Sequence, residues 1–220
     1  TDENQGKVII TTTHSDSVSK SSVETGYTVD SDGAIKIKRQ INITDNSLPE
    51  IPRIGVKFSL NGDFKNVSWF GRGPHESYWD RKQSAAIGFY SGSVWDQTFQ
   101  YVRPQETGNK TDVYWMALET DKAGFMAIGL PQFDGSVHQY PYEDLDYYPG
   151  SQKHGKLDIV SKNQTDWLID YKQMGVGGDN SWGAKPMKKY TLYPGIYEHS
   201  FILIPYRVGS DLNRVSKRRI

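Results

Sequence analysis

The chain contains no cysteine. That excludes a disulfide framework, a thiolate metal site and a cysteine nucleophile, and it leaves the redox compartment open. No apolar run approaches the roughly 18 residues of a membrane-spanning helix. Charge of one sign is missing too: 26 Lys and Arg face 26 Asp and Glu, with neither gathered into a long block. Nucleic-acid binders and membrane-surface proteins carry a basic footprint that this sequence does not have. The opening TDENQGKVII is polar and acidic, unlike a secretory leader. Helical periodicity is scarce. The one stretch that reads as helix is DRKQSAAIGFY (80–90), too short to organise a fold.

Aromatic residues are abundant: 6 Trp, 14 Tyr and 8 Phe among 220 residues. They suit a β-rich core and cross-strand pairs, and they also suit sugar binding, where pyranose C–H faces stack on rings. The short apolar runs alternate with period two and stop at turn residues. KVIITTTH (7–14), GAIKIKRQINI (33–43), RIGVKFSL (53–60), VYWMALET (113–120), GFMAIGL (124–130) and DWLIDYKQM (166–174) all read as strands. Asp32-Gly33 and DKAG (121–124) are hairpin turns, so 113–130 is predicted to be one hairpin. KKYTLYPGIYEHSFILIPY (188–206) reads as two strands joined at Pro194-Gly195. Regular strands with turns between them predict one all-β, antiparallel sandwich or barrel over 1–220, long enough to bury a core unaided.

Two polar segments carry candidate chemistry. In WFGRGPHESYWDRK (69–82), His75 beside Glu76 has the residue types of an acid–base pair. Glu76, Asp80 and Arg81 equally fit a structural ion-pair cluster beneath an irregular turn, and the local sequence favours that account. In YVRPQETGNKTDVYW (101–115), carbonyl oxygens suit a hard cation, while Arg103, Glu106, Asn109 and Asp112 suit a loop that satisfies its own polar groups. His14, His138, His154 and His199 are scattered, without zinc spacing. GVGGDN lacks the lysine and helix of a phosphate loop.

The stretch GVGGDNSW (175–182) sets the largest side chain behind the most permissive backbone. Gly175, Gly177 and Gly178 open backbone angles closed to other residues and allow close approach of another chain or ligand. Asp179 and Asn180 are turn formers. Such a loop carries Trp182 away from the sheet, although most tryptophans are largely buried, and both readings stand on local sequence.

Taken in order, LPEIPRIG (48–55), WFGRGPHESYWDR (69–81), YVRPQETGNKTDVYW and GVGGDNSW closely resemble the small-chain domain at the C-terminal end of the large β-galactosidases of glycoside hydrolase family 2. The resemblance implies an antiparallel supersandwich with galactose mutarotase-like architecture. It implies that the two glutamates of retaining hydrolysis lie outside this sequence, on a (β/α)₈ barrel, so that the chain is an inactive fragment. It implies that Trp182 is a platform for the galactoside substrate, facing the catalytic barrel of the same polypeptide. It also implies a sodium ion taken through the backbone oxygens of Arg103 and Pro104, other magnesium and sodium sites mostly elsewhere, and a homo-oligomeric parent.

Two other functions compete. A free-standing sugar epimerase of mutarotase type needs a histidine and a carboxylate converging in the sandwich groove, with His75, His138 and His154 as candidates. A plain carbohydrate-binding module would use the aromatic surplus alone.

Overall fold

Alternating side chains set the strands. The structure, a computed structural model, describes residues 2–4, 7–146, 159–177, 180 and 182–220. In chain order the strands are β1 (Asp2–Asn4), β2 (Lys7–Asp16), β3 (Ser21–Val29), β4 (Ile35–Ile43), β5 (Arg53–Asn61), β6 (Asn66–Gly73), β7 (Ala86–Ser93), β8 (Lys110–Glu119), β9 (Ala123–His138), β10 (Gln164–Gln173) and β11 (Gly195–Arg207). One short helix, α1 (Leu212–Val215), follows; Asp211 caps it by accepting from the Asn213 and Arg214 amides. All strand pairings among the described residues are antiparallel.

One sheet runs β1-β2-β3-β4-β11-β9-β8-β6-β7, and β10 links β9 to β5 as a second layer. The long strand β9 serves both. Its first half pairs with β11 from Phe201↔Gly129 to Arg207↔Ala123, and its second half pairs with β10 from Asp166↔His138 to Asp170↔Asp134. The switch is a bulge. While β8 advances from Val113 to Trp115, β9 moves from Phe133 to Ile128, leaving 129–132 out of register with β8. Such bulges bend a strand and let it change sheets.

The space between the layers is filled by Trp69, Met116, Leu118, Phe133, Trp167, Ile169 and Phe201, with Phe58 and Tyr90 packed against them. Trp167 Nε1 donates to Met116 Sδ at 3.3 Å. Burial of each large apolar side chain contributes about 1.5–3 kcal/mol, so this cluster holds the layers together. The outer face of the first sheet carries Trp115, Met126, Ile128, Ile202 and Ile204, against which Leu212, Val215 and Ile220 pack.

The expected hairpin is present: Glu119 pairs with Gly124, and the Thr120 amide donates to Ala123 O at 2.9 Å. The Asp32-Gly33 turn is present as well, with Gly33 at φ 82. Two expectations are corrected. Residues 80–90 are not helical: 78–81 close on themselves as a bridge, and 86–93 form β7. Gly88 and Gly92 weaken any helix there, while cross-strand ring pairs hold the strand, Phe70–Phe89 at 4.6 Å and Trp69–Tyr90 at 5.4 Å. In 188–206 only the second strand forms. Lys188–Tyr190 is a 3₁₀ turn, and Leu192 makes a lone bridge with Ile51 before β11 begins at Gly195.

Candidate functional site

The four segments singled out in the sequence meet at one end of the second layer. Arg53 opens β5 and pairs in register with Gln173, the last residue of β10, from which the glycine loop departs. The Arg53 guanidinium donates to Gln173 Oε1 at 2.7 Å and to Glu106 Oε2 at 2.8 Å, and its Nε faces Asp170 Oδ2 at 3.1 Å. The Tyr142 hydroxyl also donates to Glu106. Burial pushes Asp170 up to about 8 and raises Glu106, both against the pull of Arg53. Burial draws the guanidinium down, but Asp170 and Glu106 more than reverse it and hold its proton firmly. This is a buried ionic anchor. Alternation alone does not reveal it: Asp170 shares the polar-reading face of β10 with Asp166 and Lys172, opposite Trp167, Ile169 and Tyr171.

Glu76 is a second hub. It accepts from the Gly108 amide at 2.8 Å, from Arg81 at 2.7 Å and from the Tyr101 hydroxyl. Burial raises the Glu76 carboxyl, yet these donors together outweigh it and hold the group below its ordinary value. His75 is exposed, with Nε2 3.1 Å from Ser84 Oγ. Thus His75, Glu76 and Asp80 do not converge as acid and base, and Glu76–Arg81 is the ion pair. Asp112 is held by Arg72 Nε at 2.5 Å and Lys82 Nζ at 2.8 Å. Asn109 is fully buried and donates to Ser77 O at 2.9 Å. Arg103 is exposed and Pro104 buried. Among the described residues no three His, Cys, Asp or Glu side chains gather as a metal site.

The glycine loop is tied at its stem. Met174 N donates to Pro52 O at 3.0 Å, and Gly175 N donates to Tyr190 O at 2.7 Å. Val176 N and Gly177 N then donate to the two oxygens of Asp80, at 3.2 and 2.8 Å. A Cβ at Gly175 would lie 2.5 Å from Asp80 Oδ2. Close approach, not unusual dihedrals, is therefore what Gly175 provides; among the described residues of this region the positive φ falls at Gly183, immediately after the tryptophan (φ 91). Gly178, Asp179 and Ser181 lie outside the described residues. Trp182 stands 92% exposed, its amide donating to Asn180 Oδ1 at 2.8 Å. Core packing is excluded for it. Beside the stem, Trp79, Asp80, Arg81, Lys82 and Tyr190 line a cleft of about 370 Å³.

The histidines are dispersed. His14 is exposed on β2. His138 is buried between Ser136 Oγ and the Tyr140 hydroxyl, each at 3.2 Å, and burial lowers it to about 3. Burial lowers His199 to about 4; it lines a cavity of about 220 Å³ with Asp112, Asp134 and Glu198. His154 lies outside the described residues. His75 and His138 therefore do not form the histidine–carboxylate site of an epimerase.

Comparison with known proteins decides between the readings. The family model for the beta galactosidase small chain matches residues 1–203. The chain belongs to this family. A β-galactosidase of Priestia megaterium is 42% identical to the small chain over 181 residues, which is 81% of this chain and 17% of that protein. Counterparts from Halalkalibacterium halodurans and Pseudoalteromonas haloplanktis are 30% and 31% identical over 87% and 80% of this chain, and 19% and 16% of theirs. The small chain thus spans about a fifth or less of the relatives it matches. Among solved structures, a galactose 1-epimerase from Lactobacillus acidophilus NCFM aligns over 94% of this chain and 65% of its own, with TM-score 0.45 and 8% identity.

Proposed function

We propose that this small chain is the C-terminal domain of a larger β-galactosidase of glycoside hydrolase family 2, and that it completes the active site with Trp182. The observation that carries this reading is the 92% exposure of Trp182 on a loop whose stem is held by Asp80, Tyr190 and Pro52. A rigid aromatic face presented to solvent from an anchored stem is open to a ligand or another domain that would cover it. Stacking on the C–H face of a galactoside is the chemistry it offers. The catalytic carboxylates belong to a barrel domain of the same polypeptide, and the whole enzyme hydrolyses terminal β-D-galactosides with retention as a homo-oligomer. The buried acids Glu106 and Asp170 are engaged with Arg53 and are not offered to a substrate.

The Arg103 and Pro104 carbonyls are proposed as sodium ligands. Hard cations take oxygen donors, and in the same loop Glu106 Oε1 is buried without a hydrogen bond, which suits a cation nearby. Bound there, sodium would supply charge that fixes the loop. The magnesium and other sodium sites of the parent lie mostly outside the small chain.

The test is turnover of a chromogenic β-galactoside by the 220-residue chain and by the product of the complete reading frame that contains it. Hydrolysis by the complete protein alone is expected. Turnover that co-purifies with the folded 220-residue chain overturns the reading.

A further inference from the structure

We propose that Asp80 is the positioning residue for the Trp182 platform; the proposal rests on the reading of Trp182 as a sugar-stacking face. The argument starts at the turn that presents Asp80. Tyr78 N donates to Arg81 O at 3.0 Å and Arg81 N donates to Tyr78 O at 2.8 Å, so Trp79 and Asp80 sit at the tip of a closed turn. That turn does not move freely. Tyr78 is buried to 1% exposure, and Arg81 is fastened to Glu76, itself bound to the Gly108 amide. Trp79 packs edge-on against Tyr190 at 5.9 Å, with Lys172 Nζ 4.8 Å from the Trp79 ring centroid.

From this fixed base the Asp80 carboxylate reaches across to the glycine loop. Each oxygen takes one of two successive amides, Val176 and Gly177. A carboxylate accepting two backbone N–H groups fixes both the place and the tilt of that peptide, and charge-assisted bonds of this kind are stronger than neutral ones. The contact also accounts for the glycines. At Gly175 a methyl would sit 2.5 Å from Oδ2 and 2.6 Å from Cγ of Asp80, and at Gly177 it would sit 3.1 Å from Oδ2. A Cβ at Gly175 would push the carboxylate aside, and one at Gly177 would crowd it. Sequence separation hides this pair, since about a hundred residues intervene, yet both partners belong to the quoted motifs.

Holding the stem matters because Trp182 has no packing of its own to fix it. A stacking face helps binding only if its position is set before the ligand arrives, since ordering a loose loop subtracts from affinity. Asp80 supplies that order without touching the sugar.

Two measurements test this. Amide exchange at Val176 and Gly177, read by NMR on the 220-residue chain, is expected to quicken about tenfold or more in Asp80→Ala, while the Trp167–Ile169 amides in the core of β10 stay protected. Asp80→Asn keeps one acceptor oxygen and falls between. In the full-length enzyme, Asp80→Ala is expected to raise KM about three- to tenfold with a smaller change in kcat, and to add nothing in the Trp182→Ala background. Gly175→Ala displaces the carboxylate without removing it and is expected to mimic Asp80→Ala, with a weaker effect once Asp80 is already alanine. That pair keeps the proposal open to refutation if Asp80→Ala fails to fold. Unchanged exchange at both amides overturns the proposal. So does an unchanged KM in Asp80→Ala when Trp182→Ala raises it, a result that leaves the platform itself standing. An unchanged KM in Trp182→Ala removes the platform and the proposal together.

Discussion

Arg53 Nε lies 3.1 Å from Asp170 Oδ2, and the Asp170 side chain is only 1% exposed. A buried carboxylate without a counter-charge is among the most costly arrangements a fold can contain. The same guanidinium also meets Glu106, so one arginine answers two buried acids from two different segments. Arg53→Met keeps most of the volume and removes the charge. It is expected to cost about 1–3 kcal/mol, because Asp170 and Glu106 lose their shared donor and take up protons instead of staying charged. Urea unfolding followed by tryptophan fluorescence measures it; a loss under about 1 kcal/mol would show that water reaches the cluster.

The buried ionisable groups also fix how stability depends on pH. Burial raises Asp134 to about 6 and Asp170 to about 8, above the ordinary value of 3.8. The folded chain then binds protons that the unfolded chain has released. This contribution is complete below the unfolded value and is lost as pH rises through about 6 and about 8. His138 and His199 act oppositely, since burial lowers them to about 3 and about 4 from 6.5. Their contribution is complete above 6.5 and is lost as pH falls through the folded values. Between about pH 4 and 6 the two effects oppose each other, so stability is expected to decline as pH rises from about 6 to about 8 and again as pH falls below about 4. Asp170→Asn should flatten the decline between about pH 6 and 8 and, because the Asp170 contribution begins to be lost from about 4, steepen the loss of stability in acid below 6. Denaturant midpoints across that range check the claim, and a decline from about pH 6 to 8 that survives in the variant contradicts it.

Much of this architecture was legible from alternation. The β8–β9 hairpin follows from apolar periodicity on both sides of DKAG, and the buried Ile37 and Ile41 of β4 follow from their spacing. What escaped was set by distant partners. AIGFY reads as helix locally, yet Phe70 and Trp69 on β6 supply the ring pairs that make it a strand. KKYTLY lost its strand because Leu192 found only Ile51 to pair with. In the candidate site, Trp182 was visible in its motif, but the Asp80 clamp and the Arg53 anchor were not. Each joins residues far apart in the chain, and no local pattern announces such a pair.

Gly55 faces Asp170 across the β5–β10 pair. A Cβ there would lie 1.8 Å from Asp170 Oδ1 and 2.7 Å from its Cα, so both backbone and carboxylate block it. Gly26 on β3 has only Lys38 O at 3.9 Å near the same position. Gly55→Ala is expected to cost about 2–3 kcal/mol through forced displacement of the ionic anchor. Gly26→Ala should stay within about 0.5 kcal/mol. The two chemically identical changes, compared by thermal melts, separate close approach from general glycine flexibility. Equal losses would assign the effect to backbone entropy alone.

Trp182 offers the sharpest separation between stability and function. A side chain 92% exposed gives up almost no packing when removed, so Trp182→Ala should leave unfolding free energy within about 0.5 kcal/mol of the parent chain. The other five tryptophans are buried or half-buried, which makes Trp182 the one most open to solvent. Iodide should therefore quench the 220-residue chain markedly, and quench the variant much less. In the full-length enzyme the same change is expected to raise KM for a β-galactoside more than it lowers kcat. A stacking face that holds substrate and transition state alike contributes to binding and not to the chemical step. Trp182→Phe, which keeps a smaller ring, should recover part of the lost affinity. A melting temperature that drops sharply with KM unchanged would assign the tryptophan to packing instead, against its exposure in the structure.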